Sequence, residues 1–277
     1  MTTLHAAAAL LLVLAVSWKA ALSLADCRTV VRRYPGGRAY RLGRGWTGPA
    51  EFVAQRRLAL YLLAGSATLL TALGFHRAAP GPASTAVYGT CCVLMLPLIL
   101  VERRRTGCRF TTICVAELAA ALGLLALPGP GPVAAGLFAS FFAVQLYLVA
   151  GIRKLRSPHF ISGGVLIDNL AYNAVQAAAG NRDFPAWPRL NTLSAILTRP
   201  ALHHLSRGAA IATAAAEITL GLAALGLLPA PAALTLAVLM HGAFLLLSPW
   251  RIVPFSAASL GLLLLATTHP LLAAFTP

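Results

Sequence analysis

The stretch VAAGLFASFFAVQLYLVAGIRKLR, residues 133–156, decides the fold class. Its first 20 residues, 133–152, carry no charge. A helix of about 20 residues rising 1.5 Å per residue crosses about 30 Å of hydrocarbon. Arg153, Lys154 and Arg156 then arrive within four positions, at the end where long cationic side chains reach toward headgroups. The segment reads as a membrane span and its basic end.

The rest of the chain has the same character. It is 58% hydrophobic and only 10% charged, with mean hydropathy +0.78, where soluble domains keep about a quarter of their residues charged. Further apolar runs occupy about 5–25, 58–75, 86–101, 111–127, 208–228, 231–249 and 253–275. Together with 133–152 they predict an all-α, polytopic transmembrane helix bundle of about eight spans. The first run has no basic residue ahead of it, is long for a signal sequence and carries Lys19 near its far end, so it reads as a retained helix. AAPGPAST, PGPGP and PAP supply tight turns, since Pro removes helix donors and Gly relaxes the backbone.

Charge placement sets the orientation. The chain holds 22 Lys and Arg against 7 acidic residues. Segments 26–57, 102–110, 152–207 and 250–254 hold 8, 4, 7 and 1 of these cations, leaving only Lys19 and Arg77 elsewhere. Such asymmetry is the positive-inside signature of a multi-pass cell-membrane protein, with these loops and Lys154 cytoplasmic and both termini outside. The same distribution argues against nucleic acid as a partner and for the lipid bilayer. Segment 152–207 is long for a connector and mixes apolar residues with Trp187, Tyr172 and Asn/Asp, which predicts a long cytoplasmic segment containing short interfacial helices. The five cysteines, Cys27, Cys91, Cys92, Cys108 and Cys114, show no metal-ligand spacing and predict no zinc site or structural disulfide.

One internal echo joins AELAAALGLLALPGPGP (116–132) to AEITLGLAALGLLPAP (216–231): each has Ala-Glu, a small-residue helix and a proline turn. Ionisable groups within apolar runs are costly and mark function or pairing, and few are present. Glu117 and Glu217 lie about six and nine residues from the basic ends of their runs, or roughly 9 and 14 Å deep. His241 lies at similar depth in the following run. With Lys154 at the mouth of its span, these four residues are expected to line one cavity open to the basic side. Structural ties and a snorkelling lysine are the alternatives.

YLVAGIRKL, then Phe160 and Gly163, then AAAEITLGL, HGAFLLL and PFSAASLGLLLLA, resembles the membrane core of the vitamin K-dependent γ-carboxylases and their bacterial HTTM relatives. The likeness covers about residues 110–270. It divides the single transmembrane domain 1–277 into N-terminal spans and a basic loop (1–109) and a carboxylase-like core (110–277). Small DoxX/MauE-type membrane proteins share the Gly-x-x-Lys-Leu element. The family's Trp after the motif is Phe160 here, preceded by His159.

The resemblance implies Lys154 as a base, with His241 and Glu217 as catalytic partners. Arg153 and Arg156 are expected to tune that base and, with Phe160 and Glu117, to bind the substrate; no metal is expected, and the resemblance makes a reduced quinone a possible cofactor. A lysine amine must be uncharged to take a proton. The expected function is therefore modification of a peptide or a lipid-soluble, quinone-like substrate. The alternative from another class is a small transporter or a non-catalytic assembly factor of the DoxX/MauE type, in which the Glu/His set relays protons or ties helices.

Overall fold

The computed structural model describes residues 3–33, 49–106, 109–181, 184 and 187–268, excluding the side chains of 29–33, 49–52, 103–106 and 109. Most of the first basic loop, Cys108, and Arg182 in the long segment lie outside the described residues. Among the described residues every regular element is helical. In chain order the helices are α1 (Thr3–Arg33), α2 (Pro49–Ala78), α3 (Pro82–Thr106), α4 (Arg109–Leu125) and α5 (Gly131–Val144). A π-helical turn, Gln145–Val149, carries α5 directly into α6 (Ala150–Leu155). Short α7 (Pro158–Ile161), α8 (Gly164–Ala178) and α9 (Leu190–Ile196) follow. Then come α10 (Pro200–Ala224), α11 (Ala230–Leu247), a 3₁₀ turn at Trp250–Ile252, and α12 (Val253–Thr268).

Among the described residues each of the eight apolar runs forms a helix over most of its length, and six of these helices have both the length and the apolarity to cross a membrane. These are Thr3–Arg28, Val53–Ala78, Pro82–Glu102, Gly131–Leu155, Ala230–Leu247 and Trp250–Thr268. The other two fall short for different reasons. Helix α4 has 17 residues, about 25 Å of rise. Helix α10 has 25 residues, but His203, His204, Arg207 and Glu217 dilute its apolar character. The chain is thus a membrane-type helical bundle with six helices able to span.

Two compact units divide the chain. The first comprises Met1–Ala139 and Pro254–His269, hence α1 to α4, the start of α5, and α12. Its core is aliphatic, with Leu12, Leu62, Leu69, Ile99, Leu118, Leu122 and Leu262 fully buried. Small residues set helix spacing, because without a hydrophobic drive between helices in lipid the association depends on close packing. A Cβ at Gly261 would lie 2.6 Å from Leu118 Cδ2, so α12 sits close against α4 and a side chain there would have to push Leu118 aside. Several polar groups inside this unit are paired, which lowers the cost of placing them in hydrocarbon. Lys19 Nζ lies 2.6 Å from Glu102 Oε2, and Thr112 Oγ1 donates to that oxygen over 3.4 Å. Gln55 donates to Ser23.

The second unit, Ser140–Val253 and Pro270–Pro277, contains the end of α5, the π turn, α6 to α11 and the 3₁₀ turn. Ser157 Oγ caps α7 by accepting from the Phe160 N–H, and Pro158 fills the first helical position, where no donor is needed. Gly163 separates α7 from α8 at φ +83°, the left-handed region that costs glycine nothing. A Cβ there would also come within 2.6 Å of the Arg207 nitrogen. This tight corner lays Phe160 on α10, where it packs with Ala210 and Ala214. Asn173 Nδ2 donates to the Leu247 carbonyl over 2.6 Å, tying α8 to the end of α11. The short helices expected in 152–207 are therefore present as α7, α8 and α9.

Candidate functional site

The second unit places the buried polar residues Tyr147, Glu217 and His241, with Lys154, around the junction of the π turn, α6, α10 and α11. Helices α6 and α10 meet through glycine. A Cβ on Gly151 would lie 2.8 Å from Ile218 Cγ1 and 3.0 Å from the Ala214 carbonyl oxygen, so the two backbones are in near contact. Gly221, one turn beyond Glu217, accepts Leu148 in the same way. Lys154 lies three residues after Gly151 and Glu217 three after Ala214, so the close approach sets their side chains face to face.

Lys154 Nζ is hydrogen-bonded and ion-paired to Glu217 Oε1. The Glu217 side chain is 6% exposed and the Lys154 side chain 27%, so the acid is buried and the lysine partly exposed. Glu217 Oε2 is buried and accepts no hydrogen bond among the described residues. Two aromatic rings flank the amine, with the Phe160 centroid 5.3 Å and the Phe244 centroid 5.7 Å from Nζ. Such contacts favour a cation in a poorly hydrated place.

A second pair shares this aromatic wall. The Tyr147 hydroxyl, carried on the π turn, lies 2.8 Å from His241 Nε2, with both residues at most 2% exposed. The two rings meet edge to face at 5.9 Å, and His241 meets Phe244 edge to face at 5.8 Å. Phe244 thus touches both pairs. π-helical turns recur at functional sites because they rotate side chains out of the helical register, and Tyr147 occupies one here.

The expected site residues separate into three groups. Lys154, Glu217, His241 and Phe160 come together in the second unit. Arg153 and Arg156 are exposed, and neither is paired among the described residues. Glu117 belongs to the first unit, on α4, where it is half-buried with no ion pair among the described residues. Tyr147 is the member that the sequence reading missed. Its one signal is a position seven residues before Lys154, within the apolar run.

Chemically, the Lys154 and Glu217 side chains hold the same protons and the same zero net charge whether written as ammonium and carboxylate or as amine and carboxylic acid. Either form has room for one more proton. A proton taken from a ligand at the open amine can pass inward, because the bare Oε2 is an available acceptor. The result, ammonium beside neutral carboxylic acid, leaves no isolated buried anion. No family model matches this chain, and no curated protein or solved structure is significantly similar to it.

Proposed function

We propose that this protein is an HTTM or carboxylase-like membrane enzyme that removes a proton from a peptide or lipid-soluble substrate, with Lys154 as the base and Glu217 as its buried partner. The observation that carries the reading is the geometry of that pair: an amine at a partly open mouth, its carboxylate sealed behind it, and aromatic rings on two sides. A merely snorkelling lysine would point its amine to solvent and leave Glu217 alone. His241 and Tyr147 fix the inner wall and supply a second hydrogen-bonded pair. The exposed Arg153 and Arg156 suit an anionic group on the substrate.

A reduced quinone, implied by the resemblance, fits this set in one respect, since its aromatic ring is complementary to Phe160 and Phe244 beside a proton acceptor. When bound it would supply the acidic O–H. The chain's residues do the rest: Phe160 and Phe244 orient the ligand, Lys154 takes the proton, and Glu217 balances the charge.

Eight spans accompany this reading. Only if α4 crosses does the segment 152–207, with 7 cations, fall on the same side as 26–57 and 102–110, and only if α10 then crosses as well does 250–254 join them. That side is the cytoplasm, and it holds the mouth of the Lys154 site.

The test compares three substitutions under an assay for the product made by the chain and its neighbouring genes, at matched levels of inserted protein. Lys154→Arg keeps the charge and reach but cannot become neutral, and should lower product at least a hundredfold. Arg153→Lys and Arg156→Lys keep their charge and should stay within about threefold of wild type. Full activity in Lys154→Arg would remove the base from the proposal and favour a structural tie.

A further inference from the structure

Lys19 and Lys154 are the two lysines among the chain's 22 Lys and Arg, and each is paired to a buried glutamate, Glu102 in the first unit and Glu217 in the second. Every other Lys/Arg position holds arginine. A guanidinium is a planar fork, whereas an ammonium is a compact charge with three N–H donors. These two buried carboxylates are met by the smaller head.

At Lys154 that head occupies a formed seat. Nζ donates to Glu217 Oε1, and the Phe160 and Phe244 ring centroids lie 5.3 and 5.7 Å from it. Both distances fall within the ~6 Å over which a ring face attracts a cation. Glu217 and Phe160 are buried, so little water competes for the charge. A carboxylate oxygen flanked by two aromatic faces is the complement of an organic ammonium. None of the three groups is on the element that carries Lys154: Phe160 is on α7, Glu217 on α10 and Phe244 on α11. Lys154 reaches into the seat from the last turn of α6, with its side chain partly exposed. From there the same flexible stem can carry its charge to the headgroups instead.

We infer that Glu217, Phe160 and Phe244 form a binding site for a primary alkylammonium, which Lys154 fills as a tethered stand-in until such a ligand takes its place. The head must be primary because the bond to Oε1 needs an N–H, which a quaternary ammonium lacks. A neutral alcohol would leave the carboxylate without a countercharge, and an anion would be repelled by it. On exchange Lys154 joins Arg153 and Arg156 at the exposed end of α6, and Glu217 keeps an ammonium partner throughout. The inference goes beyond the proposed proton removal, since it needs only the geometry of the seat and is read by binding rather than by product.

The experiment measures binding of radiolabelled n-propylammonium, which restores the three carbons and the nitrogen that Lys154→Ala removes. The full chain is held in phosphatidylcholine nanodiscs, with protein-free nanodiscs subtracted. The wild type should bind one propylammonium per chain saturably, and Lys154→Ala, freed of the tethered competitor, should bind it at least tenfold more tightly. With Lys154 kept, Glu217→Gln should weaken binding at least tenfold and Phe244→Leu at least threefold, so a folding defect in Lys154→Ala does not decide the matter. Unlabelled 1-propanol or tetramethylammonium should displace the label at least tenfold less well than unlabelled n-propylammonium. Absence of saturable binding to the wild type would overturn the inference. So would binding by well-folded Lys154→Ala no tighter than wild type, undiminished binding by Glu217→Gln, or displacement by tetramethylammonium as good as by n-propylammonium. Any of these results would leave the base reading standing, because that reading is decided by the product made by Lys154→Arg.

Discussion

At Tyr147 one hydrogen bond, to His241 Nε2, links the π turn to α11. Tyr147→Phe keeps the ring and its edge contact with His241 but removes the 2.8 Å hydrogen bond to Nε2. Leaving the buried His241 Nε2 without this partner should cost about 1–3 kcal/mol, read as a lower thermal unfolding midpoint in detergent, and should reduce product without preventing insertion. An unchanged midpoint would detach Tyr147 from the site. The sequence could point to Lys154, Glu217 and His241, because a charge or an imidazole in an apolar run is expensive enough to stand out. It could not point to Tyr147, since an aromatic in a membrane helix reads first as packing or as an interfacial anchor. Nor could it separate Glu217 from Glu117. The two share the same Ala-Glu context, and what distinguishes them, a lysine across a glycine contact, depends on packing that neither segment encodes alone.

Between elements, the decisive contact is glycine against backbone. Gly151→Leu makes its span more apolar, so insertion should be undiminished, yet the new side chain collides with Ala214 and Ile218 on α10. Overpacking of this kind costs about 1–3 kcal/mol, and product should fall with it because Lys154 is carried away from Glu217. Gly208→Leu, on the same helix α10 with open space around it, should stay within about 0.5 kcal/mol of wild type. Equal effects of the two would show that helix approach is not what assembles the site. Most helices were legible from apolar run length, and the breaks from AAPGPAST, PGPGP and PAP. The π turn was not, because no proline or glycine announces it within Gln145–Val149 and it arises from packing on α10. The polarity of α10 had the opposite effect: Glu217, which makes it chemically interesting, lowers its standing as a membrane helix.

Across the whole molecule, the arrangement of charge predicts sidedness. In a cysteine-less background, a thiol introduced at Ser162 should be labelled only after the cytoplasmic face is opened, and one at Gly129 should react from outside in intact cells. Labelling of Ser162 from outside would reverse the orientation, and Gly129 reacting only from the cytoplasm would remove α4 as a span. Hydropathy made the bundle legible, but span number depends on two marginal helices whose crossing is favoured by the cations around them and not by their own composition. The account's central claim is that Glu217 and Lys154 together exchange a proton in the folded protein. Infrared difference spectroscopy between acid and alkaline pH, on the full chain in lipid, reads this directly through the carbonyl stretch of a protonated carboxyl group. The account predicts a band that vanishes in Glu217→Gln and titrates at a different midpoint in Lys154→Arg, at equal protein level. A difference spectrum unchanged by Glu217→Gln would show a carboxylate that never exchanges its proton, and would contradict the claim.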